Sequence, residues 1–141
     1  MHLIPKKFKY NKQQKGKAFN KIIKCQELFL CSFGSYGLKA LEHGRLNAKQ
    51  IEAIYMFLNK QLKKKGKVFL KIFAHVPITA KPIEVRMGKG KGAVQFFIAK
   101  IKPGMILCEI ETPSKAFALT ILELVKSKIP LKTKVFSHNK F

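Results

Sequence analysis

Glu109 and Glu111 lie two residues apart, a spacing that puts two carboxylates on one face of a strand, where a pair of acids can divide general acid and general base work. The neighbouring sequence points to a plainer role. If residues 93–102 form a strand joined to theirs by a tight turn, Lys100 and Lys102 share that face and the four side chains make a solvated ion-pair surface. Other groups capable of chemistry are scattered. His2, His43, His75 and His138 have no cysteine spaced for a metal, the chain contains no Asp, and no Gly-x-Ser-x-Gly elbow occurs. The expectation is a protein that is not an enzyme, with no cofactor and no metal.

The stretch Arg86-Met87-Gly88-Lys89-Gly90-Lys91-Gly92 offers a different chemistry, with three glycines and three cations in seven positions. Gly88, Gly90 and Ala93 formally satisfy Gly-x-Gly-x-x-Gly/Ala. A dinucleotide site needs a helix to open directly after the glycines, and here the following Ala93 to Lys102 run reads as a strand. A Walker motif fails as well, because no glycine is followed at the right distance by Gly-Lys-Ser/Thr. Gly34 to Gly37 imitates the Gly-x-x-Gly of a KH domain, but that loop joins two helices, and this one sits among strand-like runs. Without a Cβ at 88, 90 and 92 the main chain can approach a phosphate closely and aim its N–H groups at it. Lys89 and Lys91 then act as mobile point charges, and Arg86 can fork onto two oxygens or stack on a base.

Composition supports a polyanionic partner. Against 29 Lys plus Arg stand seven acids, all Glu, in a chain of 141 residues with a formal charge of +22 and 47% hydrophobic residues. Such a chain has a core to fold around, and its surplus charge repels itself until a polyanion relieves it. No run approaches the roughly 20 apolar residues that span a bilayer, and the lack of a Lys-flanked exposed apolar helix argues against a peripheral membrane-surface protein, so no membrane partner is expected; that reading and a basic nucleic-acid-binding module of another kind stay as the alternatives. The first two dozen residues are basic and polar, unlike a secretory signal or an Arg- and Ser-rich import presequence. Cys25, Cys31 and Cys108 are odd in number and lack Cys-x-x-Cys spacing, which fits free thiols in a reducing compartment. Arg occurs only at Arg45 and Arg86, while Lys, Phe, Ile and Asn abound, the pattern that A/T-rich codons impose.

The elements that must position these residues follow from periodicity and turn chemistry. Residues 1–25 read as an extended basic arm in which Lys6, Lys7, Lys9, Lys12, Lys15 and Lys17 can meet phosphates. Residues 26–41 predict two short strands about a glycine turn. Asn47 and Gln50 form a capping box for a helix with Ile51, Ile54, Tyr55, Leu58 and Leu62 on one face and Gly66 as its C-terminal glycine. Lys63, Lys64 and Lys65 sit well at the negative end of that helix dipole and can equally contact phosphate. A strand over 67–73 precedes an extended crossing through Pro77, Lys81 and Pro82. Beyond the glycines a hairpin is expected over 93–111, with Pro103 and Gly104 at the centre of a type II turn and Ile101, Ala99 and Phe97 facing Ile106, Cys108 and Ile110. A second helix capped by Thr112, with Pro113 in its first turn, buries Phe117, Ile121, Leu124 and Val125 and stops before Pro130; a strand near 132–136 ends the chain. The fold class is α+β: one domain over 26–141, a sandwich of antiparallel strands with two helices, preceded by the arm.

These residues resemble the universal large-subunit ribosomal protein sixteen family, bacterial and organellar. The resemblance rests on RMGKGKGAVQFF, with its aromatic at Phe97, and on KKKGKVFLKIF at Lys63 to Phe73, SFGSYGLKAL, GRLNAKQIEA, PITAKPIEVRMGKGKG and PGMILCEIE, collinear from Phe33 onward. The family usually has Trp where this chain has Phe69, and an Arg-rich arm where this one is Lys-rich. The resemblance implies a structural component of the large subunit, lodged in large-subunit rRNA near the aminoacyl-tRNA site. Its implied partners are rRNA, tRNA and neighbouring ribosomal proteins, and it is not expected to form a homo-oligomer. Together with the codon-biased composition, the divergent arm and the lack of an import presequence it implies an organellar ribosome, with the mitochondrion first, the plastid as the alternative and an A/T-rich bacterium as a third source.

Overall fold

The computed structural model describes residues 4–14, 31–63 and 65–137. Lys15, Lys17, Cys25, Lys64 and the start of the strand pair expected over 26–41 lie outside them. Residues 4–14 contain neither helix nor strand. The elements then run β1 (Tyr36–Ala40), β2 (Gly44–Asn47), α1 (Ala48–Leu62), β3 (Lys67–Leu70), β4 (Val76–Ala80), β5 (Ala93–Ile101), β6 (Ile106–Glu111), α2 (Lys115–Lys126) and β7 (Thr133–Ser137). They form a four-stranded sheet, β3-β6-β1-β7, and a three-stranded sheet, β2-β5-β4, antiparallel throughout. One apolar cluster joins both sheets and both helices, running from Leu38 and Leu46 through Ile54, Leu58, Ile101 and Ile110 to Leu122 and Val125. The α+β sandwich with two helices is the observed architecture.

Helix α1 forms as its sequence dictates. Asn47 is extended, its N–H donates to Gln50 Oε1 at 2.9 Å, and Ile51, Ile54, Leu58 and Leu62 are buried, while Tyr55 is only partly so. Its left-handed C-terminal residue is Lys63 (φ 42), not Gly66, and the Lys63 N–H reaches the Asn59 carbonyl at 3.3 Å. Gly66 is needed for space instead, since a Cβ there would stand 2.4 Å from the Glu111 carbonyl oxygen. Helix α2 is capped by Ser114 rather than Thr112. Ser114 Oγ accepts from the Phe117 N–H at 3.5 Å, and the Thr112 hydroxyl donates to the Ser114 carbonyl at 3.2 Å. The buried stripe is Ala118, Ile121, Leu122 and Val125; Leu124 falls on its flank and is 49% exposed.

The hairpin over 93–111 does not form. Its turn does, with Gly104 at φ 88 and the Met105 N–H on the Lys102 carbonyl at 3.1 Å, but the chain leaves it into the other sheet. A strand has two hydrogen-bonding edges, and β5 has both occupied by β2 and β4, as β6 has by β1 and β3. The apolar residues that appeared to sit side by side belong to different sheets of one core. Alternation alone cannot separate these arrangements, because both bury the same side chains. The first expected strand pair is likewise replaced: of residues 31–41 only Tyr36–Ala40 is strand, and β2, not anticipated, supplies an edge to β5. The strand expected over 67–73 stops at Leu70.

Glu109 is fully buried and does not join a solvated face with Lys100. Its carboxylate accepts from the backbone N–H groups of Ser32 (3.1 Å), Phe33 (2.8 Å) and Gly34 (2.9 Å) and lies 3.6 Å from the Lys71 ammonium. Lys71 also donates to Ser32 Oγ at 2.8 Å and stands 5.5 Å from the centre of the Phe33 ring, which stacks on Phe69. The carboxylate thus gathers the turn that leads into β1. Burial pushes its pKa up, but the Gly34, Phe33 and Ser32 N–H groups and the Lys71 charge outweigh that and hold it below the ordinary carboxylate range. A group with a lowered folded-state pKa stabilises the fold above its unfolded value, and the contribution is lost as pH falls through the folded value. Glu109→Gln is therefore expected to lower the unfolding midpoint at neutral pH, with the gap to wild type closing on acidification; a gap constant with pH would contradict an ionised Glu109.

Candidate nucleic-acid interface

The glycine-rich segment is the loop, residues 81–92, that joins β4 to β5 above their last register pair, Ala80 with Ala93. β4 is an edge strand, which is why Pro77 is tolerated inside it. Just below the loop the register slips: Ile78 pairs with Phe96 but Thr79 with Val94, so Gln95 is an extra residue and both it and Phe96 face solvent. A bulge of this kind adds twist and re-aims the strand end. At the neck, a Cβ on Gly92 would stand 2.3 Å from the Ala80 carbonyl oxygen.

Gly88 (φ 101), Lys89 (φ 54) and Gly90 (φ 85) are three consecutive left-handed residues. For an L residue that conformation costs about 1–2 kcal/mol, so the glycines answer a dihedral requirement on either side of Lys89. They do not answer crowding, because a Cβ at Gly88 or Gly90 would meet no heavy atom within 4 Å. The result is a tight, bare turn of main chain in open space. Every residue from Lys81 to Lys91 is exposed, and the loop carries Lys81, Arg86, Lys89 and Lys91 against one acid, Glu84.

Part of the N-terminal arm lies against this loop. Lys12 Nζ donates to the Lys91 carbonyl at 2.7 Å, Lys91 Nζ to the Gln13 carbonyl, and Lys81 Nζ to the Gly88 carbonyl across the loop. Each ammonium has three N–H donors, so such a bond leaves capacity for a phosphate. The Phe8 ring stacks on Phe97 with centroids 5.5 Å apart and planes 3° from parallel. Phe8, Asn11 and Lys12 line one hollow with Ala93, Val94 and Phe97, and Ile4 lines another with Asn47, Lys49, Gln95 and Phe96. Lys6, Lys7 and Lys9 are exposed along the same segment. The arm's contribution through Phe8 and Gln13 was not legible from sequence, because the arm has no period; an aromatic among lysines was its one signal.

The remaining predicted cations are not gathered here. Arg45 is exposed on β2 opposite Lys100. Lys63 and Lys65 follow the far end of α1, whose first residue, Ala48, lines the hollow beside Phe96; 15 residues of helix span about 22 Å. Among the described residues no group of three or more His, Cys, Asp or Glu could hold a metal ion, and no helix is long and apolar enough to cross a membrane. Burial, reinforced by the Glu109 charge, pushes the Cys31 thiol up to about 11 and the Cys108 thiol up to about 12, so both stay protonated near neutrality. The loop's exposed cations and main-chain N–H groups are groups that attract and hydrogen-bond anions.

The family model described as ribosomal protein L16p/L10e matches residues 5–136. Similar curated proteins include the large ribosomal subunit protein uL16 of Buchnera aphidicola subsp. Cinara cedri (strain Cc), 47% identical over 131 residues and 93% of each chain. The large ribosomal subunit protein uL16 of Dichelobacter nodosus (strain VCS1703A) is 45% identical over the same length and coverage.

The two kinds of glycine in the loop should respond differently to a methyl group. Gly92→Ala forces the neck apart and is expected to lower the thermal unfolding midpoint. Gly90→Ala meets no neighbouring atom and bears only the left-handed strain of about 1–2 kcal/mol, so it is expected to lower the midpoint less than Gly92→Ala does and to displace the amide chemical shifts of residues 88–91. Equal midpoint losses would contradict this division.

Proposed function

The chain belongs to the ribosomal protein L16p/L10e family, and on that premise we propose that residues 81–92, with the arm at 4–14 beside them, are the surface through which it grips large-subunit rRNA. It is a structural protein of the large ribosomal subunit, associated with rRNA and with neighbouring ribosomal proteins. The observation that carries the assignment of the surface is the left-handed turn at Gly88 to Gly90, bare of Cβ atoms on either side of Lys89 and ringed by cations. Phosphate oxygens fit such a turn because main-chain N–H groups and ammonium groups can reach them together.

In this reading Arg86, Met87, Gly88, Lys89, Gly90, Lys91 and Gly92 contact RNA directly. Lys81 and Lys12 hold the loop's carbonyls while sharing the phosphate charge. Lys6, Lys7, Lys9, Lys15 and Lys17 neutralise backbone along the arm. Arg45, Lys63 and Lys65 make separate phosphate contacts on other faces, and Lys64 contacts phosphate as well. Placed near the aminoacyl site, the loop helps position tRNA, and the chain acts as a single copy per subunit. The finer address, a mitochondrial ribosome with a plastid one as the alternative, rests on the A/T-biased composition; both named relatives are bacterial.

Counterion release gives the test. Lys89→Ala combined with Lys91→Ala should weaken binding to large-subunit rRNA and make the slope of log K against log salt shallower by roughly 0.7–0.9 per lysine. An unchanged slope would remove both ammonium groups from the interface.

A further inference from the structure

Within the cationic loop stand three apolar side chains whose chemistry phosphate contacts leave unused. Ile83 is 104% exposed, Met87 101% and Val85 50%, and the segment between β4 and β5 gives them no core to join. Ile83 occupies a central position of a β-turn closed by the Val85 N–H on the Pro82 carbonyl at 3.2 Å. Turn positions are filled mostly by Gly, Pro, Asn, Asp and Ser for reasons of backbone dihedral and local hydrogen bonding, so the turn itself gives no reason for an isoleucine. Single exposed apolar residues need no explanation, but three within five positions of one loop are a local concentration of exposed apolar surface. The same stretch is flanked by Lys81, Arg86, Lys89 and Lys91, with Glu84 the one acid among them.

We propose that Ile83 and Met87 pack against the faces of unstacked nucleobases, so that the loop reads exposed bases as well as holding phosphates. The inference rests on the rRNA-binding reading above and adds a second kind of contact to it. Charge complementarity selects the occupant: a protein segment covering this surface would have to be both apolar and strongly acidic, whereas RNA presents flat apolar base faces beside its phosphates. RNA is recognised largely at loops and bulges whose bases are splayed out and stacked on side chains. Met87 suits such a face, because a thioether is polarisable and makes favourable contacts with aromatic rings, while Ile83 offers a branched wedge of the kind that enters opened base steps.

Apolar and ionic contacts separate by their salt dependence. Packing against a base releases no counterion, so it changes affinity without changing the slope. Ile83→Ser combined with Met87→Ser, titrated against large-subunit rRNA extracted from the chain's own ribosomes, should bind about tenfold more weakly at every salt concentration, with the wild-type slope retained. Both side chains are exposed, so the unfolding midpoint should not move, and a circular-dichroism melt verifies that the variant is folded. Wild-type affinity in the Ile83/Met87 variant, alongside a shallower slope in the Lys89/Lys91 variant, would overturn this inference and leave the phosphate clamp standing. Weakened incorporation into whole subunits with unchanged binding to naked rRNA would overturn it in favour of a protein neighbour. An unchanged slope in the Lys89/Lys91 variant would defeat the clamp, and this inference with it.

Discussion

Twenty-nine lysines and arginines face seven glutamates, and the fold withdraws one of those seven from the surface altogether. Glu109 is buried among the backbone N–H groups of residues 32–34 and beside Lys71, so still less negative charge remains outside to offset the cations. Burying a carboxylate is tolerated only when its oxygens are fully engaged, and here they are. The surplus positive charge is consequently a property of the exterior, while the interior is an ordinary apolar cluster with one satisfied ion in its wall. Neither the core nor surface pairing can compensate such an exterior. Compensation has to come from a partner, and a polyanion is the partner whose charge density matches.

The architecture concentrates this demand at one edge. β5 is the central strand of its sheet, flanked by β2 and β4, so its start is held from two sides. The bulge at Gln95 turns that start outward, and the close approach at Gly92 fixes the neck of the loop above it. Beyond the neck the chain has no core of its own and stands free in a left-handed turn. Segments of this type belong to the low end of the local stability range, which suits the RNA surface proposed for them. The arm adds a second support, through the Phe8 stack on Phe97 and the lysine bonds to loop and arm carbonyls. Rigid strands therefore carry a compliant tip.

What the sequence disclosed and what it hid follow one physical distinction. Local signals held: the capping box at Asn47 and Gln50, the buried face of α1, and the turn at Pro103 and Gly104. Choices among distant partners were hidden. The alternation in residues 93–111 is equally satisfied by a hairpin and by two strands facing each other across a core, and β5 and β6 took the second course. Glu109 resembled a surface acid because its ligands are backbone N–H groups some 75 residues away in sequence, which no side-chain pattern records. The cap of α2 shifted by two residues because Thr112 and Ser114 are both competent caps. At the proposed interface the glycines and cations are what the sequence offers by type, whereas the stacking of Phe8 on Phe97 depends on an aperiodic arm.

The account stands or falls on where the turn at residues 88–90 lies in the assembled particle. A reconstruction of the native large subunit, resolved well enough to see side chains, measures this directly. It should show phosphate oxygens within hydrogen-bonding distance of the main-chain N–H groups and ammonium groups of residues 88–91. A turn surrounded by solvent, or seated wholly against protein, would contradict it.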